Sequence, residues 1–566
     1  MKKFISVVLS VLLIFGSVVI GASAADDGLK VIVASDLHLS QRAYLPFGGN
    51  TAADAYAHVP SSGQLTVESN AIITAFFEKA AATDSDFVFL SGDLTNAGTE
   101  AEHILMVEKL AAFEAQTGKK IYMINGNHDL QATDIDTYRA MYYQFGYDDA
   151  LAYDTLSLSY TADINDEYRL IAIDSVNALT GAQGLTDERF AWIQEQCEKA
   201  VADGRKIIAM MHHNLLEHFI LSKKIHTHGV VNNDVALAEL LASSGAKYIF
   251  TGHTHDQDIT SYTASTGDVI YDVVTNSING YPCQYREVTF GNDVVFEEKT
   301  IEKVDTSLFP EGLSQEAVSL AAENFREYTK KCMWKGLRET FESYLKPATL
   351  KSLLKLNEEE NKDFVAIFDK ISTKLCTAVK YPLYEKDAQT AGESIEALVK
   401  ANGDTLKASG YKDLIDLVIT IYQAHCVGDE NYPLYSTELD VLVTALTAVL
   451  NYTLADLTAE EYTVALEFIC AMLEVDVPSW VMTFASSGMS KMQGVDMLMT
   501  GVVMPLMTRF TVDSAPADNN VTLPGYGKTA VESESFMDKV RKFFNEVAEF
   551  FRSVFFYFQK IFNAAI

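Results

Sequence analysis

Short, almost continuously apolar segments alternate with helical segments between residue 29 and about residue 302 of this 566-residue chain. Runs rich in Val, Ile, Leu and Phe are typical of strands that are buried on both faces of a sheet. Six of them are LKVIVASD, DFVFLSGD, KKIYMING, YRLIAIDS, RKIIAMMHH and AKYIFTGH. Because helical sequence lies between several of these runs, we expect an α/β fold in which helices flank layered sheets.

The pattern of the chain changes after this region. The segment YREVTFGNDVVFEEKTI alternates with period two around Gly291-Asn292, which predicts a hairpin that closes the first domain. From about Asp305 the sequence favours helices as far as about Phe510. We therefore expect a first, α/β domain at 25–304, a helical domain at 305–511 and a turn-rich linker at 512–535.

The N-terminal residues have the composition of a targeting signal. Lys2 and Lys3 precede a long apolar run, and Ala22-Ser23-Ala24 fits a cleavage site. We expect a signal peptide at 1–24 and a protein that is exported, either secreted or associated with the cell envelope. An uncleaved membrane anchor is the alternative.

The C-terminal segment 536–566 reads as an amphipathic helix. Phe and Val recur on it at helical spacing, and Lys and Arg lie between them. Such a helix can lie on an anionic membrane surface, or it can pack against the protein or a second copy.

Charge and cysteine spacing exclude several classes of protein. The formal net charge is −33, and no basic cluster interrupts the main body, so nucleic acid is not an expected partner. The six cysteines form no CxxC pair, which argues against zinc-ribbon and thioredoxin-type sites. Export would permit disulfides, but buried free thiols explain the cysteines equally well.

Polar motifs follow five of the predicted strands. They are Asp36-Leu37-His38, Gly92-Asp93, Gly126-Asn127-His128-Asp129, His212-His213 and Gly252-His253-Thr254-His255. Ligand sites of open α/β sheets form beyond the carboxyl ends of the strands, so these motifs are expected to meet in one crevice. The glycines before Asp93, Asn127 and His253 would allow the backbone to turn sharply there.

The residue types in these motifs suit a pair of metal ions. Two divalent ions roughly 3.5–4 Å apart need a bridging carboxylate, with imidazole and oxygen donors around them. Neutral imidazole favours Fe, Mn, Zn or Co, whereas Mg or Ca would prefer oxygen donors alone. We therefore expect two divalent or trivalent metal ions of this group as cofactors.

The series D-x-H, G-D, G-N-H-D, H and G-H-x-H resembles the calcineurin-like metallophosphoesterase superfamily over residues 29–302. The resemblance implies a two-layer β-sandwich flanked by helices, with a dinuclear metal centre. It implies that Asp36, His38 and His255 hold one metal. It implies that Asn127, His212 and His253 hold the other, while Asp93 bridges both.

The resemblance also implies two catalytic residues. His128 would contact the substrate phosphate and assist the leaving group, and Asp129 would orient His128. Of the two adjacent histidines, His212 is expected to be the ligand and His213 is the second choice. Residues 215–231, which contain His218, His226 and His228, form either a substrate lid or a solvated loop.

The function implied by this resemblance is metal-dependent hydrolysis of small phosphomonoesters or phosphodiesters. A metal-bridging hydroxide would attack phosphorus in line with the leaving group. Two alternatives stay open. One is a cell-surface binding or scaffold protein that retains a relic phosphoesterase domain. The other is a membrane-surface phosphoesterase that acts on lipid or envelope phosphates.

Overall fold

The structure is a computed structural model, and the signal peptide and the C-terminal helix expected from the sequence lie outside the residues that it describes. Those residues are 28–46, 59, 63–176, 184–218, 223, 228–354, 356, 362–428, 430–433, 435–472, 477–484, 488–513 and 516–527. Among them, no helix is long and apolar enough to cross a bilayer.

Thirteen strands in the described residues form two mixed sheets. In chain order they are β1 Leu29–Ala34, β2 Phe87–Leu90, β3 Lys120–Met123, β4 Ala150–Tyr153, β5 Tyr160–Asp163, β6 Tyr168–Ile173, β7 Lys206–Met211, β8 Tyr248–Thr251, β9 Asp258–Thr263, β10 Val269–Val274, β11 Gln284–Phe290, β12 Asp293–Thr300 and β13 Val521–Pro524. The first sheet has the order β13-β12-β11-β1-β2-β3, and the second has the order β4-β5-β6-β7-β8-β10-β9.

The parallel strands lie together in each sheet. In the first sheet β1, β2 and β3 are parallel, and in the second β6, β7, β8 and β10 are parallel. The six runs expected to be strands are β1, β2, β3, β6, β7 and β8, and the expected hairpin is β11–β12. The sequence patterns did not predict β4, β5 and β9, which are short or polar edge and near-edge strands.

The two sheets pack face to face. Phe89 of the first sheet and Phe250 of the second lie 6.2 Å apart between ring centroids, and Phe250 also contacts Phe290 at 6.3 Å. Five helices of this region are α1 Ser69–Ala82, α2 Glu100–Thr117, α3 Ile135–Met141, α4 Asp187–Ala202 and α5 Asp234–Ser243. Thr99 and Thr186 cap α2 and α4 by accepting hydrogen bonds from backbone N–H groups. The expected two-layer β-sandwich flanked by helices is confirmed.

Between β12 and β13, all regular secondary structure in the described residues is helical. These helices are α6 Gln315–Glu323, α7 Phe325–Tyr344, α8 Pro347–Leu353, α9 Lys362–Ala378, α10 Ile395–Ala401, α11 Leu414–Val427, α12 Thr437–Leu454, α13 Ala459–Met472, α14 Ser479–Met482, α15 Lys491–Leu498 and α16 Met504–Thr511. They have apolar cores of their own, and all six cysteines of the chain are buried free thiols.

The segment expected to be a linker contributes a strand instead. β13 pairs antiparallel with β12, with Leu523 opposite Val294. Just beyond the strand, the Lys247 side chain donates a hydrogen bond to the carbonyl of Gly525 at 2.9 Å. A four-residue strand that ends in proline has too little periodicity to be read from sequence. The helical region is therefore inserted between neighbouring strands of one sheet.

Replacing Leu523 tests whether β13 stabilises the sandwich. The side chain is only 6% exposed, so Leu523→Ala should lower the free energy of unfolding by about 2–5 kcal/mol. Thr522→Ala, on the exposed side of the same strand, is the matched control. Urea denaturation of the full chain measures both. Equal midpoints for the two variants would contradict a structural role for this strand.

Candidate metal centre

The predicted ligands lie in the turns that follow β1, β2, β3, β7 and β8. Five of them have a positive φ, which is uncommon for residues other than glycine. They are Asp36 at 53°, His38 at 42°, Asp93 at 48°, His253 at 70° and His255 at 59°. Each such conformation costs about 1–3 kcal/mol, and strain of this kind is concentrated at functional sites.

Three of these side chains form the first ligand group. His255 Nε2 lies 3.2 Å from Asp36 Oδ1 and 3.2 Å from His38 Nε2. His38 Nε2 lies 3.7 Å from the same Asp36 oxygen. The three donor atoms therefore converge on one point, as the sequence predicts for one metal ion.

The second ligand group forms around His212. Its Nε2 atom lies 3.2 Å from Asn127 Oδ1 and 3.2 Å from His253 Nδ1. Its Nδ1 atom is 2.9 Å from the carbonyl oxygen of Ser91, which fixes the ring. These are the three residues that the resemblance implies for the second metal.

Asp93 lies between the two groups. Its Oδ2 atom is 3.8 Å from His38 Nε2 and 3.3 Å from His212 Nε2. Its Oδ1 atom accepts a hydrogen bond from the backbone N–H of His128 at 2.8 Å. One carboxylate oxygen is thus shared by both groups, which is the arrangement that a bridging ligand requires.

The protonation of the site is set by burial and by the two carboxylates. Burial and the neighbouring His128 lower the pKa of His38 to about 3, and burial with His212 lowers the pKa of His253 to about 3. Burial also lowers the pKa of His212, but Asp93 outweighs it and raises that pKa to about 9. Burial alone would raise the pKa of Asp93, but His212 holds it well below its usual value. Neutral imidazoles and ionised carboxylates are the forms that bind metals, so His38, His253 and Asp93 already have the required form, whereas His212 would release its proton when a metal binds.

Two glycines of the motifs are required because other groups approach their backbone closely. A Cβ atom on Gly126 would lie 2.1 Å from Asp93 Oδ1, and one on Gly252 would lie 1.8 Å from Ser35 Oγ. No side chain fits at such distances. The glycine of Gly126-Asn127-His128-Asp129 therefore allows the shared carboxylate of Asp93 to approach the neighbouring loop.

The structure gives Asp129 a different place from the one predicted. Its buried carboxylate accepts hydrogen bonds from the backbone N–H groups of Leu94, Thr95 and Gly126 and from the Thr95 hydroxyl. Asp129 therefore joins the loops after β2 and β3. The ring of His128 is oriented by the carbonyl oxygen of Asn96, which lies 2.6 Å from its Nδ1. The sequence could not show this, because a backbone carbonyl leaves no motif.

The two adjacent histidines have different surroundings. His212 faces the ligand group, whereas His213 Nδ1 lies 2.8 Å from the hydroxyl of Ser175. The loop after them is fixed, because Asp272 accepts hydrogen bonds from the N–H groups of Leu215 and Leu216. Much of the segment considered as a lid, including His226, lies outside the described residues.

One residue at the site belongs to none of the five motifs. The carboxamide nitrogen of Gln64 lies 3.1 Å from His38 Nε2. Gln64 comes from the connection before α1, where the sequence has no pattern that would have singled it out.

The fold and the site together define a β-sandwich domain with a candidate dinuclear metal centre. The calcineurin-like phosphoesterase family matches residues 29–257 and confirms the resemblance seen in the sequence. The match covers less than half of the chain, and metal-dependent phosphoester hydrolysis is the activity that it supports for this region. None of the curated proteins compared with the chain matches it in sequence.

Several solved structures are similar to about half of the chain. A dimetal phosphatase from Danio rerio is 11% identical over 49% of this chain and 98% of that chain, with a TM-score of 0.34. The purple acid phosphatase PPD1 of yellow lupin is 12% identical over 49% and 52% of the two chains, with a TM-score of 0.32. An NAD nucleotidase from Haemophilus influenzae is 14% identical over 48% of both chains, with a TM-score of 0.27. These similarities are too distant to indicate a substrate.

The residues present fit two metal ions. Asp36 Oδ1 is fully buried and makes no hydrogen bond, so it is available as a ligand. Four imidazoles, an amide oxygen and two carboxylates supply the mixed nitrogen and oxygen donors that Fe, Mn, Zn or Co prefer. Asp36, His38 and His255 would hold one ion, Asn127, His212 and His253 the other, and Asp93 both.

His218 should make the stability of the loop after β7 depend on pH. His218 Nδ1 lies 2.5 Å from Asp258 Oδ2, and His218 Nε2 lies 3.1 Å from Asp272 Oδ2. Burial lowers the pKa of His218, but these two carboxylates outweigh burial and raise the pKa to about 10. A histidine whose pKa is higher in the folded state than in the unfolded state stabilises the fold. This stabilisation is complete below the unfolded-state pKa of about 6.5 and is lost as the pH rises toward 10. His218→Gln should therefore cost about 3–5 kcal/mol near pH 6 and less toward pH 10. Urea denaturation across this range measures it, and a cost independent of pH would contradict it.

Proposed function

We propose that this protein hydrolyses phosphoester bonds in a metal-dependent reaction at the centre around Asp93. The observation that carries the proposal is the position of Asp93 Oδ2 between His38 and His212. When bound, two metal ions would activate water and offset negative charge on the phosphoryl group. The protein's own contribution is to hold the ligands in place before substrate binds, by means of the turns that follow five strands.

His128 is the residue best placed to handle the leaving group. Its Nδ1 atom is held by the carbonyl oxygen of Asn96, which leaves Nε2 for a substrate. The ring lies beside the first ligand group, with its centroid 4.8 Å from that of His38. In its protonated form, His128 can donate the Nε2 proton to the departing oxygen.

The substrate class that we propose is small phosphodiesters or phosphomonoesters outside the cytoplasm. The sequence of residues 1–24 supports export, and the net charge of −33 argues against nucleic acid as a partner. Contact of the C-terminal segment with a membrane surface would bring lipid or envelope phosphates within reach.

Removing the shared carboxylate tests the proposed function. Asp93→Ala and Asn127→Ala should each lower turnover of aryl phosphate mono- and diesters by more than about 100-fold, because both remove metal ligands. Assays with Mn, Zn, Fe and Co, combined with elemental analysis of bound metal, measure the effect. Asp166→Asn, an exposed carboxylate, is the control. Full activity of both variants would refute the proposal. Binding of less than one metal ion by the wild-type protein would favour the relic scaffold.

Replacing His128 tests its role as a proton donor. His128→Ala should lower kcat by about 10²–10⁴-fold for esters with poor, alkyl leaving groups. Esters of 4-nitrophenol should lose much less, because their leaving group needs no proton. Steady-state kinetics on both kinds of ester measures the difference. An equal loss on both would show that His128 acts in another way.

A further inference from the structure

The end of helix α11 lies against the loop that carries His255. The next residue of that loop, Asp256, is fully buried, and its Oδ1 atom lies 3.7 Å from His425 Nε2 and 3.8 Å from Cys426 Sγ. The other ring nitrogen of His425 lies 2.9 Å from Glu430 Oε1. The helical region is thus in direct contact with the neighbour of a predicted metal ligand.

The contact at Asp256 is an ion pair that is removed from water. Burial lowers the pKa of His425, but Asp256 and Glu430 outweigh burial and raise the pKa to about 9. A protonated His425 therefore compensates the charge of Asp256. Because a buried charge that loses its partner is strongly destabilising, the position of Asp256 is tied to that of α11.

The turn that ends α11 approaches the same loop through its backbone. Gly428 has a φ of 82°, and a Cβ atom on it would lie 2.6 Å from the carbonyl oxygen of Gln257. Gln257 is fully buried, and its side-chain oxygen accepts a hydrogen bond from the N–H of Asn276 at 3.1 Å. Glycine at this position therefore allows α11 to pack directly on the residues that follow His255.

The other two residues of the first ligand group are connected to α11 through the loop after β10. Asn276 Nδ2 donates a hydrogen bond to a backbone carbonyl at the end of α11, at 2.8 Å. In the same loop, the Ser277 hydroxyl donates to the carbonyl of Asp36 at 2.8 Å. The Asn279 side chain donates to the carbonyl of His38 at 3.3 Å. One loop thus links α11 to the backbone of both ligands.

His255 depends on this support more than the other two ligands do. The side chains of Asp36 and His38 are fully buried, whereas that of His255 is 26% exposed. The backbone of His255 has a φ of 59°, which is a strained conformation for histidine. Packing alone therefore does not fix this imidazole, and its direction depends on how Asp256 and Gln257 are anchored.

The second ligand group is held from within the sandwich. His212 Nδ1 lies 2.9 Å from the carbonyl oxygen of Ser91, just after β2. The N–H of Gly252, the residue before His253, donates to the carbonyl of His212 at 2.9 Å. These contacts join the turns after β2, β7 and β8. The two ligand groups therefore differ in how closely they are connected to the helical region.

We propose that the end of α11 positions His255, so that the helical region sets the metal affinity of the first ligand group more than that of the second. His425 and Gly428 are positioning residues, because they act on the metal only through Asp256 and Gln257. The inference rests on the proposed function and goes beyond it, since it gives the helical region a role in binding one of the two metal ions.

The first experiment separates the packing of Gly428 from its backbone strain. Zn²⁺ is titrated calorimetrically into the metal-free full chain, and elemental analysis gives the bound metal. Gly428→Ala should weaken the binding of one Zn²⁺ ion by about 10- to 100-fold and leave the other unchanged, because the new Cβ atom displaces the turn from Gln257. Gly403→Ala is the matched control and should bind like wild type. Gly403 has a φ of 80°, but a Cβ atom on it would meet nothing within 4 Å.

Replacing a ligand of each group shows which metal ion is affected. His255→Ala disrupts the first group directly, so adding Gly428→Ala to it should cause no further loss of Zn²⁺ affinity. Asn127→Ala disrupts the second group, and adding Gly428→Ala to it should weaken the remaining ion by the same factor as in the wild-type background. A further loss on the His255→Ala background would place the effect elsewhere and would overturn the inference.

The second experiment tests the ion pair at Asp256. His425→Gln keeps a donor for Glu430 but removes the positive charge, and it should weaken the same Zn²⁺ site by about 10-fold. Adding Asp256→Asn should cause little further loss, because no unpaired charge then stays buried. Arg338→Gln is the matched control and should leave both sites unchanged, because Arg338 pairs with Asp413 at the other end of α11, at 2.7 Å. Additive losses in the double variant would overturn the role of the pair.

The outcomes separate this inference from the proposed function. If the wild-type protein binds two Zn²⁺ ions and hydrolyses no ester, the proposed function fails, and the affinities of the variants still decide the inference. If the wild type is active and Gly428→Ala and His425→Gln bind both ions as tightly as it does, only the inference fails. Equal losses in Gly428→Ala and Gly403→Ala, or equal losses at both sites, also overturn it. If the wild type binds no metal, both fail.

Discussion

The shared position of the Asp93 carboxylate is the constraint on which the rest of the site depends. Asp36, His38 and Asn127 come from the first sheet, as Asp93 does, whereas His212, His253 and His255 come from the second. The carboxylate lies in reach of both sets only if the two sheets keep a fixed distance and register. Contacts such as Phe89 with Phe250 set that distance. The core of the sandwich therefore determines the geometry of the centre.

The same constraint explains why the backbone at the site is strained. Asp36, His38, Asp93, His253 and His255 all have positive φ angles, which turn each side chain inward immediately after its strand ends. The cost, about 1–3 kcal/mol each, is offset by the surrounding hydrogen bonds and packing. Asp129 is part of that compensation, because its carboxylate fixes three backbone N–H groups of the adjoining loops. The buried carboxylate of Asp129 thus stabilises the backbone of the loops beside the candidate metal centre.

The sequence predicts those features that depend on local pattern. Strand runs, glycines and the polar residues just after them lie within a few positions of one another, so the ligand set can be read directly. The place of Asp129, the pairing of β13 and the arrival of Gln64 depend on contacts between distant residues. Leu523 pairs with Val294, which is more than 200 residues away in the sequence, and a four-residue strand is too short to show a periodic pattern that would predict this pairing. Roles that come from backbone carbonyls, such as that of Asn96, leave no trace in side-chain chemistry.

The insertion of the helical region between β12 and β13 bears on substrate choice. In the proposed reaction the five motifs would act on the phosphoryl group, which all phosphoesters share, so they indicate a reaction rather than a substrate. The helical region begins and ends on neighbouring strands, and it touches the site at two places. Tyr328 of α7 donates a hydrogen bond to Glu68, in the connection that leads into α1, and backbone carbonyls at the end of α11 accept hydrogen bonds from Asn276 and Gln284. Cys426, at that end, lies 3.8 Å from Asp256, the residue after His255. We therefore expect residues between 305 and 511 to determine which phosphoesters this protein selects as substrates.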